Sequence, residues 1–75
     1  MDKGRITQVI GPVIDVEFTG KLPMIRDALT VEVDGRKRVM EVAQHMGNHT
    51  VRCIMLAASE GLSKNMEVTA TGSFI

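Results

Sequence analysis

The feature that most constrains this chain is a two-residue beat of apolar and polar side chains, which is clear after Gly11-Pro12 and again before Asp34-Gly35. In residues 13 to 18, Ile14, Val16 and Phe18 fall on one face and Val13, Asp15 and Glu17 on the other, as successive side chains of a strand must. The first face reads as core. Residues 28 to 33 repeat the pattern, with Leu29, Val31 and Val33 inward and Thr30 and Glu32 outward. Asp-Gly between two such runs predicts a hairpin, because a type I′ turn needs positive φ at both central residues. Proline removes a ladder donor and glycine tolerates unusual backbone angles, so Gly11-Pro12 predicts a bend, a bulge or a strand edge, and a barrel corner would suit it.

The remaining runs complete the reading. Residues 5 to 10 give a first strand, 36 to 44 the return of the hairpin, and 50 to 56 and 66 to 71 two more, the last with Met66, Val68 and Ala70 inward. No helical period is sustained over three turns. Six short strands without helices predict an all-β fold, a small closed six-stranded β-barrel of Greek-key type, since closure removes the exposed edges of an open sheet. In the connection over 19 to 27, Leu22, Met24 and Ile25 are expected to tuck against the barrel mouth. Met40, Met55 and Met66 read as flexible fillers of a small core. Residues 36 to 44 alternate imperfectly, and in 50 to 56 the face of Val51, Cys53 and Met55 is matched by Ile54 and Leu56 on the other. A barrel of this size cannot bury both faces of a strand, so its own loops or another protein surface should cover the second set.

Composition narrows the function. Seventy-five residues make a single domain, and folding at this length hides only about 60% of the surface of the unfolded chain, so partners matter to stability. Nine Lys and Arg balance nine Asp and Glu, and the aromatic residues are Phe18 and Phe74 alone. Neither a basic field nor stacking platforms are available for nucleic acid. The single cysteine, Cys53, suits a reducing compartment. No run has the length of a signal peptide core or a membrane span, which predicts a soluble chain without direct membrane contact. The apolar ending Thr71-Gly72-Ser73-Phe74-Ile75 reads as the start of a further segment.

Candidate chemical groups are few, and each has a structural reading. His45, His49 and Cys53 are four apart, a zinc-compatible spacing on a helix, but Gly47-Asn48 interrupts any helix and an extended 49 to 53 sets its ends about 13 Å apart. Cys53 lies among Val51, Ile54 and Met55, which favours an inert buried thiol over a nucleophile. Asp15 and Glu17 share a strand face as a catalytic pair would, yet read as solvated side chains. Arg36-Lys37-Arg38 reads as a solvated hairpin tip in preference to a phosphate contact. No glycine-rich phosphate loop is present, so no catalytic, cofactor-binding or metal-binding residue is assigned.

The run Gly4 to Phe18, then Leu22-Pro23, Glu41-Val42-Ala43-Gln44-His45, Thr50-Val51-Arg52, Glu60-Gly61-Leu62 and Thr71-Gly72, resembles the N-terminal barrel domain of F-type ATP synthase beta subunits. The words occur in order along nearly the whole chain. Ala-Gln-His and Thr-Val-Arg resemble beta and not alpha subunits. Ala57-Ala58, Ser63 to Met66 and Phe74 depart from the family pattern, at loops and at the exit. The resemblance implies a structural role in a crown ring of alternating alpha and beta barrels, with alpha subunit N-terminal domains as partners. It also implies that ATP or ADP and Mg bind a nucleotide-binding domain outside these residues. The parent complex would make ATP from ADP and phosphate, driven by a transmembrane proton or sodium gradient, on the inner face of a bacterial plasma membrane. Val13, Ile54 and Leu56, apolar on faces that the core does not need, are the expected interface residues. The alternative is a free-standing barrel that binds a small ligand or nucleic acid.

Overall fold

A computed structural model describes residues 2–74. The described chain forms strands β1 (Lys3–Ile10), β2 (Val13–Phe18), β3 (Asp27–Val33), β4 (Arg36–Gly47), β5 (Thr50–Met55) and β6 (Glu67–Phe74). They close into an antiparallel barrel in the order β1-β2-β5-β4-β3-β6. The meander β3-β4-β5 is flanked by β2 beside β5 and β6 beside β3, which is a Greek key in each direction. The expected all-β closed barrel of six strands is the observed fold.

The beat of the sequence sets the wall. Ile14, Val16 and Phe18 of β2, Leu29, Val31 and Val33 of β3, and Val51, Cys53 and Met55 of β5 all enter one core. Met40 joins them from β4 and Val68 and Ala70 from β6. Met66 does not enter as a strand residue, because β6 begins at Glu67; it is half-buried against the core from the preceding loop. That loop continues the wall, since the Ile6 amide donates to the Met66 carbonyl at 2.9 Å and the Asn65 amide to the Ile6 carbonyl at 2.7 Å. At its other end β6 runs to Phe74, past the expected limit of residue 71. Thr71 to Phe74 therefore belong to the barrel, while Ile75 lies outside the described residues.

Both turn signals are hairpins. Asp34 and Gly35 have φ of 53° and 78°, as the type I′ geometry requires. Gly11 has φ of 55° and Ile10 pairs with Val13, so Gly11-Pro12 is a two-residue hairpin turn and not a corner. A third tight turn, Asn48-His49 between the paired Gly47 and Thr50, has φ of 53° and 59°.

Bulges explain the imperfect alternation. In β1, Ile6 pairs with Val16 but Gln8 with Asp15, which leaves Thr7 as the extra residue. One extra residue exchanges the faces, so Gln8 turns outward and Val9 turns in against the core. In β4, Val42 pairs with Cys53 and Gln44 with Arg52, so Ala43 is extra, and Met46 is extra one turn later.

Only part of the 19 to 27 connection packs as expected. Leu22 rests on the core, but Met24 and Ile25 are 68% and 55% exposed. The cause is a tight turn that points them away. The Asp27 carboxylate accepts from the Met24 amide at 3.0 Å, and Arg26, at φ 80°, donates its amide to the Val42 carbonyl at 2.7 Å.

Candidate interaction face

The outward side chains of β1, β2 and β5 form two rows. Ile10 pairs with Val13 and Val13 with Ile54, and directly paired residues share a face. This apolar row lies outside the barrel, because its neighbours Val9, Ile14 and Cys53 point in. Ile10 and Ile54 are 59% and 38% exposed, and Val13 is half-buried. Leu56 follows Ile54 by two residues on the same face, 54% exposed, and its amide donates to the Val39 carbonyl at 3.2 Å. The three residues predicted for an interface, Val13, Ile54 and Leu56, thus lie together on one wall. No loop among the described residues covers them. Sequence reasoning missed Ile10 and Val39, which extend the strip and which only the pairing of the strands reveals.

The second row is polar. Gln8, Asp15, Arg52 and Gln44 stand side by side across β1, β2, β5 and β4. Asp15 is not the solvated side chain expected. It is 8% exposed, and its carboxylate accepts from Arg52 Nε at 2.9 Å, Arg52 Nη2 at 3.0 Å and Gln8 Nε2 at 3.3 Å. Two parallel bonds to a guanidinium fork make this the strong form of an ion pair. Asp15 raises the Arg52 pKa above its ordinary value, through the hydrogen bond first and its charge second. Glu17 stays exposed one pair further on, so the two acids share a face but not an environment. A sequence separation of 37 between Asp15 and Arg52 hid the pair from sequence reading. The available signal was an acid and an arginine, each two residues from an apolar interface candidate on the same face.

The other predicted groups separate. Cys53 lies inside the barrel, where burial first and the charge of Asp15 second push its pKa from 9.0 up to about 12, so it is protonated and unreactive at neutral pH. His49 sits in the β4-β5 turn, and His45 Nε2 meets the Pro23 carbonyl at 2.7 Å, tying the 19 to 27 connection to β4. Among the described residues no three His, Cys, Asp or Glu side chains converge as metal ligands. Arg38 is more than a solvated tip residue. Its Nη1 donates to the Ala58 and Glu60 carbonyls at 2.8 and 2.9 Å, pinning the loop after β5, while Arg36 and Lys37 remain exposed.

The molecule is a small Greek-key barrel with a packed interior and an apolar strip on the outside of one wall. A family model described as the β-barrel domain of the ATP synthase alpha/beta family matches residues 6–72. The chain belongs to that family, and its described strands are the family's barrel domain.

Proposed function

We propose that this barrel is the N-terminal domain of a beta-type subunit and acts as a structural joint, without catalysis of its own, in a crown ring of alternating alpha and beta barrels. Support for the beta assignment comes from Ala43-Gln44-His45 and Thr50-Val51-Arg52, words that resemble beta and not alpha subunits. Support for the joint comes from one observation above others, the strip of exposed Ile10, Ile54 and Leu56 with half-buried Val13 on the wall of a closed barrel. Contiguous exposed apolar surface is costly in water and gains by association. In this reading the parent complex makes ATP from ADP and phosphate using a transmembrane ion gradient, and nucleotide and Mg bind a separate domain. The barrel then holds the ring at the cytoplasmic side while the domains below open and close.

Hydrogen exchange tests the joint. Amides of residues 50 to 56 should gain protection when the subunit enters the assembled ring with its alternating partner. Unchanged exchange there, beside gains elsewhere on the barrel, rejects this wall as the contact.

A further inference from the structure

We infer that Arg52 is the polar anchor of this contact, held flat by Asp15 and offering its remaining guanidinium nitrogen to a main-chain carbonyl of the neighbouring barrel. The inference rests on the strip being the contact between subunits. Asp15 and Arg52 pair two residues along from Val13 and Ile54, so the polar row borders the apolar one without a gap. Asp15 faces outward yet is 8% exposed, whereas the Arg52 side chain is 35% exposed. The carboxylate occupies Nε and Nη2 and leaves Nη1 with no hydrogen-bond partner among the described residues. No buried side-chain nitrogen or oxygen there lacks a partner, so Nη1 is open to solvent. Gln44, exposed and next in the row, adds a side-chain amide with no hydrogen bond in the described chain.

The chemistry of the pair defines what fits it. Asp15 and Arg52 together carry no net charge, so a partner carboxylate brought onto them would leave one uncompensated anion in a drying interface. A neutral acceptor avoids that cost. The adjoining Ile10, Val13 and Ile54 call for an apolar side chain beside it. The occupant is therefore a segment of the alternating barrel that presents a main-chain carbonyl next to an apolar side chain. An arginine already fixed by its neighbour loses little rotamer freedom on binding, which is what makes arginine effective near the centre of an interface.

The test uses the whole subunit carrying this barrel, titrated with its alternating partner, and reads both ring assembly and the melting temperature of the free subunit. Arg52→Lys keeps the charge but loses the fork, and should weaken assembly about tenfold, the scale of one lost interfacial hydrogen bond to a charged group. Its melting temperature should change much less than its assembly. Asp15→Asn should also weaken assembly and make it more sensitive to salt, since the guanidinium then enters the interface uncompensated. Ile54→Asp is the separate control for the strip. If Ile54→Asp abolishes assembly while Arg52→Lys assembles like the parent, the anchor is overturned and the joint stands. Assembly loss in Arg52→Lys that only follows its loss of thermal stability overturns the anchor as well. Parental assembly by both variants overturns anchor and joint together.

Discussion

The wall built by β1, β2 and β5 and the wall built by β3 and β6 share one interior, yet their outer surfaces have little in common. On the first, Ile10, Val13 and Ile54 run side by side, bordered by the Asp15–Arg52 ion pair. On the second, Thr30 pairs with Thr69, Glu32 and Glu67 are exposed, and Thr71 Oγ1 donates to the Ala28 carbonyl at 2.8 Å. The inside of the barrel needs only volume and apolar character from every strand. The outside differs from wall to wall: mostly polar on one, apart from the exposed Phe74 at the end of β6, and apolar beside an ion pair on the other.

The comparison breaks first at the shared interior. Phe18→Ala, behind the apolar wall, and Leu29→Ala, behind the polar one, empty fully buried positions. Each should cost ~2–5 kcal/mol in a single urea transition, because both sites belong to one cooperative core. Two separable transitions would mean that the walls are independent units. Next comes Cys53, the buried thiol of the apolar wall. Its folded pKa of about 12 lies above its ordinary 9.0, so the neutral thiol favours the folded state fully below pH 9. That contribution is lost as pH rises from about 9 to about 12, at up to about tenfold in the folding equilibrium per pH unit. Cys53→Ala should remove this part of the alkaline slope in denaturation curves. A slope identical to that of the parent would place the thiol in contact with water.

A contrast of outer positions is smaller in stability and sharper in assembly. Thr69→Asp should leave ring formation within about twofold and stability within about 0.5 kcal/mol, as for ordinary surface changes. Ile54→Asp should leave the fold similarly intact but reduce assembly at least tenfold, on the scale of a buried unpaired charge at an interface. Equal behaviour of the two variants erases the distinction between the walls. A small gain in stability belongs to the β4-β5 turn, where His49 holds φ of 59°. His49→Gly makes the turn Asn-Gly and should raise stability by ~0.5–1 kcal/mol, seen as a higher melting temperature.

Much of this was legible in the sequence, and most of what was not has a common cause. Alternation is local, so the inward sets of β2 and β3 and the Asp34-Gly35 hairpin could be read from neighbours along the chain. Bulges are decided by the partner strand. The shift at Thr7 that turns Gln8 toward Asp15, and the extra Ala43 that brings Gln44 beside Arg52, leave only an irregular beat in the sequence. The outward positions of Val13, Ile54 and Leu56 were readable by parity, but their assembly into one strip with Ile10 depends on β2 lying between β1 and β5. Asp15 looked solvated because its cover comes from two other strands. Met24 and Ile25 were misjudged for the opposite reason, since a short hydrogen-bonded turn overrode their preference for the core.

Closure of the barrel has one more consequence. The first and last strands of the sheet hold each other, so no whole end strand is left open for a partner or a second copy to extend. Along the paired strands a junction is written in side chains. Such a junction can be retuned one residue at a time, as in a bead whose drilled core stays the same while its glaze is changed.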